Sequence, residues 1–156
     1  MFRLKNGEMP PGLKPSKAWW LMIGTNDVRK ADCNIDAVVA GIVQVAEEVL
    51  RQDERNRAYD ASHVVINSLF PPLDLYKDPL WETIQTINDR VGCYAATTKG
   101  IEFFNATELF LSQHSDGSYA VDPAWFLSDQ IHLSAEGLRM WEQAIVDKTL
   151  SLKAGH

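Results

Sequence analysis

The run of six apolar residues from Ala18 to Ile23 constrains the fold of this 156-residue chain more than any other feature. It shows no polar alternation and is bounded by Pro15 upstream and Gly24 downstream. A strand with one face in water alternates apolar and polar residues, whereas a strand buried on both faces is a continuous apolar run. Strands of that kind are usual in parallel sheets, whose faces are covered by helices. The run therefore predicts an inner strand of an α/β fold.

The rest of the chain alternates between helical and strand patterns. In chain order the patterns predict a helix from Ile35 to about Arg51 behind an Asn34 cap, a strand from His63 to Phe70, a helix from Leu80 to Ala96, a strand from Ile101 to Ala106, and a helix behind a Ser134 cap. Right-handed crossovers then place the strands parallel, with helices on both faces. We expect one domain over residues 1–156, because no linker or internal repeat interrupts the pattern.

Charge and hydropathy exclude two classes of partner. Fifteen Lys and Arg against 21 Asp and Glu give a formal net charge of −6, which repels a nucleic-acid backbone. No apolar run approaches the roughly 18 residues of a membrane helix. The first residues show neither the apolar stretch nor the cleavage site of a signal peptide. We expect a cytoplasmic protein that binds neither nucleic acid nor membrane.

Cysteine and histidine spacing gives no sign of a metal site. Cys33 and Cys93 form no Cys-x-x-Cys pair, and we expect both to be free and partly buried. The histidines at 63, 114, 132 and 156 share no metal-ligand spacing, and no Gly-rich phosphate loop follows a strand. The sequence therefore predicts no metal and no nucleotide cofactor.

The first polar block, Gly24-Thr25-Asn26-Asp27, follows the first predicted strand. Ligand sites of open α/β sheets form beyond the carboxyl ends of the strands, which is where this block falls. The Asn26 amide is a neutral donor of the kind that stabilises an oxyanion next to a carbonyl under attack. The alternative is a capped turn that leads toward the helix after Asn34.

The second polar block runs from Asp129 to Ser134, directly before the last helix. Positions three apart face the same side of a turn, so Asp129 is placed to accept a hydrogen bond from one ring nitrogen of His132. The other nitrogen is then free to act as a base, which is the orienter and base part of an acyl-transfer triad. The alternative is a loop histidine satisfied by a local carboxylate.

Together, Gly24-Thr25-Asn26-Asp27 and Asp129-x-x-His132-Leu133-Ser134-x-x-Gly137 resemble two signature blocks of the SGNH or GDSL hydrolases. The opening Phe2-Arg3-Leu4-Lys5-Asn6-Gly7-Glu8, with a later Lys14-Pro15, is similar to the catalytic subunits of intracellular platelet-activating factor acetylhydrolase. The resemblance runs over essentially the whole chain. It implies a three-layer, flavodoxin-like sandwich with a parallel sheet, and a serine ester hydrolase that needs no metal or other cofactor.

The resemblance also implies roles for five residues. Asn26 is the side-chain donor of the oxyanion hole, Gly24 shapes its loop, and Asp27 supports that loop through backbone amides. His132 is the general base, and Asp129 orients it. The implied substrate is a small-molecule acyl ester, whose acyl pocket Trp125 and Phe126 would line if they are not part of the core.

The chain departs from the family pattern at the nucleophile. The family carries it in a Gly-Asp-Ser block after the first strand, and no Gly-Asp-Ser occurs in this sequence. Ser16 precedes a strand and Ser68 ends one, and neither position matches the family nucleophile. We expect an N-terminally truncated domain that lacks its first two strands. The alternatives are a shortened pseudoenzyme, a binding subunit that keeps the pocket, and an unrelated α/β binding protein.

The expected truncation has a physical consequence for the strand at Ala18–Ile23. Without its upstream neighbour, this strand becomes a sheet edge and exposes Trp19, Trp20 or both. Exposed apolar edges template self-association, so the sequence predicts an aggregation-prone chain or a homodimer joined through this edge.

Overall fold

Three parallel strands form the centre of the fold. They are β1 (Ala18–Leu21), β2 (His63–Asn67) and β3 (Ile101–Phe104), in the sheet order β1-β2-β3. Trp20 lies beside Val65 in the register, and Val65 beside Glu102. The structure is a computed structural model that describes residues 18–30, 34–56 and 63–154. Within those residues the sheet is parallel throughout, as the apolar runs predicted.

Helices connect the strands, and a small hairpin follows them. The helices are α1 (Thr25–Lys30), α2 (Ile35–Asn56), α3 (Leu80–Thr97) and α4 (Ala135–Ala154). An antiparallel hairpin of β4 (Leu111–Gln113) and β5 (Tyr119–Val121) lies between two 3₁₀ turns, Ala106–Leu109 and Pro123–Trp125. The predicted α/β class is therefore confirmed, and α1 and the hairpin are elements that the apolar periodicity did not predict.

The two faces of β1 pack against different helices, which explains its unbroken apolar run. Trp19 and Leu21 point to one face, where they join the core cluster of α2 and α3. Trp20 points to the other face, where its indole Nε1 donates to Thr149 Oγ1 of α4 at 3.0 Å. The sheet thus lies between a layer of two helices and a layer of one, as expected of a three-layer sandwich.

Both tryptophans of β1 are half-buried, so the prediction of an exposed tryptophan is wrong. The Trp19 indole donates to Asp53 Oδ1 at 2.8 Å, and the Trp20 ring meets Phe104 edge-on at 5.4 Å. Helix α2 was predicted to end near Arg51, and Asp53 lies beyond that predicted end. The helix continues to Asn56, and the buried Asp53 on this last part accepts a hydrogen bond from the Trp19 indole. Among the described strands β1 pairs only with β2, and the homodimer stays a prediction.

Strands β2 and β3 end earlier than the sequence predicted. The Leu69 N–H does not continue the ladder, because it donates to Asn88 Oδ1 of α3 at 2.8 Å. Ala106, the predicted end of the third strand, begins a 3₁₀ turn instead. The predicted Asn34 and Ser134 caps are confirmed, since their side chains accept from Ala37 N and Gly137 N at 3.1 Å each.

Cys93 is free and exposed on α3, so its predicted partial burial is wrong. The predictions for Cys33, Ser16 and His156, and for the N-terminal part of the family resemblance, lie outside the described residues. Within the described part of the chain, no helix is long and apolar enough to cross a membrane.

A buried polar network fixes the carboxyl end of β2. Asn88 accepts from Leu69 N at 2.8 Å and donates to Leu69 O at 3.1 Å, so its amide replaces a strand partner. Ser68 Oγ accepts from Thr107 N at 3.0 Å, and Thr107 Oγ1 donates to Leu69 O at 2.9 Å. These bonds connect α3, β2 and the segment after β3 at the edge where a site is expected.

Replacement of Asn88 by alanine tests this network. We expect Asn88→Ala to lower the free energy of unfolding by about 2 kcal/mol, because the Leu69 N–H is left buried without its acceptor. Gln85→Ala, one turn earlier on the same helix and exposed, is the matched control and should change it by less than about 0.5 kcal/mol. Urea unfolding followed by circular dichroism measures both. Equal effects of the two substitutions would contradict the proposed anchoring.

Candidate functional site

A cleft of about 620 Å³ lies at the carboxyl ends of β1 and β2. Three segments supply most of its lining: Met22 to Arg29, Leu69 to Pro72, and the loop from Gln130 to Leu133 that precedes α4. Helices α3 and α4 and the residue Phe126 complete it. We call it the main cleft. It contains Gly24, Asn26 and His132, so residues from the two distant polar blocks lie in one cavity.

Gly24 makes the turn from β1 into α1. It is buried, its φ is +107°, and a Cβ there would lie 3.0 Å from Ile42 Cδ1 and 3.3 Å from Leu69 Cδ2. A side chain is therefore disfavoured both by the backbone conformation and by the packing. Its carbonyl accepts from the N–H groups of Asp27 and Val28 at 3.0 Å each. The turn is fixed by these bonds at the edge of the main cleft.

Asn26 and Asp27 lie in the first turn of α1, and both are exposed. Both line the main cleft. The Asp27 backbone N–H bonds to Gly24, whereas its carboxylate makes no hydrogen bond to any described residue. The turn is thus held by backbone groups, and the expected support from the Asp27 carboxylate is not seen among the described contacts.

His132 and Asp129 form the side-chain pair that their spacing predicted. His132 Nδ1 lies 2.6 Å from Asp129 Oδ2, and the other carboxylate oxygen accepts from the backbone N–H groups of Ile131 and His132 at 3.0 Å each. The histidine side chain is 73% exposed and lines the main cleft, whereas Asp129 does not line it. Within the described residues, Nε2 of His132 has no hydrogen-bond partner.

The Asp129 carboxylate is strongly stabilised in its ionised form. The His132 backbone N–H, the His132 ring and the Ile131 N–H lower the pKa of Asp129 from 3.8 to about 2. The carboxylate is therefore charged throughout the neutral range, and it favours the tautomer that carries the proton on Nδ1.

Backbone hydrogen bonds hold the loop that carries this pair. Phe126 and Leu133 form an isolated antiparallel bridge, and Leu127 N donates to His132 O at 2.7 Å. Gln130 N closes the turn onto Leu127 O at 2.9 Å, with Gln130 itself at a φ of 60°. The left-handed conformation is uncommon for a residue other than glycine, and it lets the loop turn back within a few residues.

The Ser134-x-x-Gly137 part of the motif joins this loop to α4. Ser134 N donates to Trp125 O at 2.9 Å, and Ser134 Oγ donates to Ala124 O at 2.7 Å. Gly137 lies against the Trp125 backbone so closely that a Cβ would overlap its carbonyl oxygen. The glycine is needed for this close approach, which fixes where α4 begins relative to His132.

Aromatic side chains form much of the wall of the main cleft. Trp141 on α4 donates from Nε1 to Asn67 Oδ1 at 2.8 Å and meets the Phe70 ring edge-on at 5.6 Å. Phe126 lines the cleft and is also buried in a second core cluster, which it forms with Leu75, Phe110, Val121 and Leu133. Trp125 packs on that cluster without lining the cleft. Trp141 and Phe70 were not predicted as cleft residues, because their apolar spacing is that of ordinary core positions.

Ser68 is buried at the end of β2, where it is 1% exposed and bonded to Thr107. It does not line the main cleft. Its hydroxyl belongs to the buried polar network at the end of β2. Within residues 18–30, 34–56 and 63–154, no group of three or more His, Cys, Asp or Glu side chains is arranged to hold a metal ion.

Comparison with solved structures finds a similar fold. A structure from Streptococcus pneumonia, described as that of a "putative platelet activating factor", matches 85% of this chain with a TM-score of 0.62 and 19% sequence identity. This chain spans 59% of the length of that protein. At this identity the likeness shows a shared fold. No protein-family model and no curated protein matches the chain.

The low pKa of Asp129 is directly measurable. We expect its carboxyl carbon to titrate near pH 2 by NMR. The folded pKa lies below the unfolded one, so the contribution of this group to stability is fully present above about pH 4 and is lost as the pH falls through about 2. In His132→Ala the pKa should rise but stay below 3.8, because the backbone donors remain. An unchanged pKa in that variant would show that the ring does not contact the carboxylate.

The close approach of Gly137 gives a stability test with an internal control. We expect Gly137→Ala to lower the free energy of unfolding by about 2 kcal/mol, because the new methyl group must displace the Trp125 backbone. Gly41→Ala in α2 places its methyl group in open space. It should raise the free energy of unfolding by about 0.5 kcal/mol. Thermal unfolding of the two variants measures the contrast. A neutral Gly137→Ala would mean that the loop and α4 separate easily.

Proposed function

We propose that this protein is a serine ester hydrolase of the SGNH or GDSL type, acting on small acyl esters without a metal or cofactor. The observation that carries the proposal is the Asp129–His132 pair, joined at 2.6 Å, on the same cleft as the Gly24–Asn26 turn. Asn26 and Asp129 lie 103 positions apart in the chain, and Gly24 and His132 lie 108 positions apart. Their convergence at the carboxyl edge of a parallel sheet supports a site for acyl transfer, since sites of open α/β sheets form there.

His132 is the general base in this proposal. A serine Oγ attacks the acyl carbon while His132 Nε2 takes its proton, so that a C–O bond forms and a tetrahedral oxyanion results. The oxyanion collapses, the alkoxide leaves with the proton from His132, and water repeats the cycle on the acyl-enzyme. Asp129 stays ionised because of its low pKa, and it stabilises the imidazolium formed at each transfer.

Asn26 is the proposed oxyanion donor. Its exposed amide lies on the main cleft in a turn that the Gly24 carbonyl holds in place. A donor fixed before the reaction stabilises the developing charge without reorganisation, which is the largest contribution in many acyl-transfer sites. Gly24 supports it by allowing the turn, and Asp27 follows Asn26 in the same segment.

The nucleophile is proposed to lie in a Gly-Asp-Ser block on a preceding segment, since this sequence contains no such block. The solved structure with the same fold is longer than this chain, which leaves room for it. The aromatic wall of Phe70, Phe126 and Trp141 suits an apolar acyl or alkyl group.

The test uses the product of the whole gene, with 4-nitrophenyl acetate as substrate. We expect His132→Ala and Asn26→Ala each to lower kcat by at least about 10²-fold with little change in KM, because each removes a group that acts in the transition state. His114→Ala and Gln143→Ala alter exposed residues away from the main cleft and are the matched controls. A fluorophosphonate should label one serine in the whole product.

Different outcomes separate the alternatives. The 156-residue chain alone should show negligible turnover, since loss of a triad nucleophile costs about 10⁶-fold in rate. Turnover by that chain with a labelled serine in it would overturn the placement of the nucleophile. A whole gene product that binds acyl esters without turnover and without labelling would support the binding subunit instead. Wild-type rates in His132→Ala would remove that residue from the site.

A further inference from the structure

A second cavity, of about 540 Å³, lies at the carboxyl end of β3. Helix α3 separates it from the main cleft, because Leu80 and Ile84 line the main cleft whereas Trp81, Gln85 and Asn88 line the second cavity. The two sets are neighbouring stripes of one helix. The second cavity is therefore a distinct site that the proposed ester hydrolysis does not use.

Aromatic faces form one part of this cavity. Trp81 lines it from α3 and packs against both core clusters, which fixes its position. Tyr76 and Tyr119 line the opposite rim, where the Tyr119 N–H donates to Tyr76 Oη at 3.1 Å. This bond connects the loop before α3 to the hairpin. Phe103 of β3 also lines the cavity, which is thus lined by four aromatic residues from four separate segments.

The charged side chains that line the cavity are all acidic. They are Asp89 on α3 and Glu108 in the 3₁₀ turn after β3, and the described lining includes no lysine, arginine or histidine. Asn105 Nδ2 donates to Glu108 Oε1 at 2.8 Å, which orients that carboxylate. An anionic ligand would be repelled by both carboxylates, whereas a cation is attracted by them.

We propose that the second cavity binds an organic cation carrying an alkylated ammonium group. Aromatic faces attract such a cation through their quadrupole, and they also cover its alkyl groups, which a carboxylate alone does not. A bare metal ion is disfavoured, because it gains nothing from the apolar walls and because the described lining offers two carboxylates but no third His, Cys, Asp or Glu ligand. The size of the cavity suits a small molecule rather than a single ion.

The experiment titrates the 156-residue protein with tetramethylammonium chloride and follows the indole N–H signals by NMR. Trp81→Phe assigns the Trp81 signal. We expect the Trp81 indole N–H signal to shift saturably at millimolar tetramethylammonium, because a partly exposed aromatic site binds such a cation weakly. The Trp20 and Trp141 indoles are bonded to other residues and should not move. Sodium chloride at the same ionic strength and tert-butanol, an uncharged molecule of similar shape, are the ligand controls.

Two matched double variants decide the role of charge. Asp89→Asn/Glu108→Gln should raise the dissociation constant about fivefold or more, because it removes both carboxylates of the cavity. Glu142→Gln/Asp147→Asn makes the same chemical changes at exposed positions of α4. It should raise the dissociation constant less than about twofold. Equal effects of the two variants would overturn the proposal, and so would tert-butanol binding as well as the cation or an absence of Trp81 shifts.

Discussion

Burial of the central strands on both faces is the constraint on which the rest of this structure depends. Trp19 and Trp20 are adjacent in β1 and therefore point to opposite faces, so each face needs its own helical cover. Helices α2 and α3 supply one cover and α4 the other. Each indole N–H must also find an acceptor once it is half-buried, and Asp53 and Thr149 supply them. The polar partners thus fix which helix covers which face.

The same layering creates the main cleft, since the covering helices leave the carboxyl ends of β1 and β2 open between them. Polar side chains then hold the edges of this opening. Asn88 ties the end of β2 to α3, and Asn67 ties it to Trp141 of α4. Both bonds place a rigid wall beside the turn that carries Asn26. The cleft is therefore formed by the packing of the core rather than by a separate loop domain.

Short-range order dominates the other side of the site. The Asp129–His132 contact joins residues three apart, and the loop is closed by bonds between Leu127 and its neighbours at 130 and 132. Its attachment to the rest of the molecule is long-range, because Phe126 and Leu133 pack against Leu75 and because α4 is bonded to the end of β2 through Trp141. The hydrogen bond between Asp129 and His132 depends on the loop alone. The fold decides which other residues share the cleft with His132.

The sequence by itself determined the features that depend on local patterning. These are the apolar runs of the buried strands, the caps at Asn34 and Ser134, and the contact between Asp129 and His132, because each needs only a few consecutive residues. Tertiary structure alone decided the bonds between distant segments. The end of β2 at Asn67, the burial of Trp19 against Asp53, the place of Trp141 in the cleft and the second cavity beside Trp81 all follow from side chains that meet only after the layers pack. Apolar spacing reports that such a residue is buried, but not which neighbour it will contact, since that depends on the angle and register at which the layers meet.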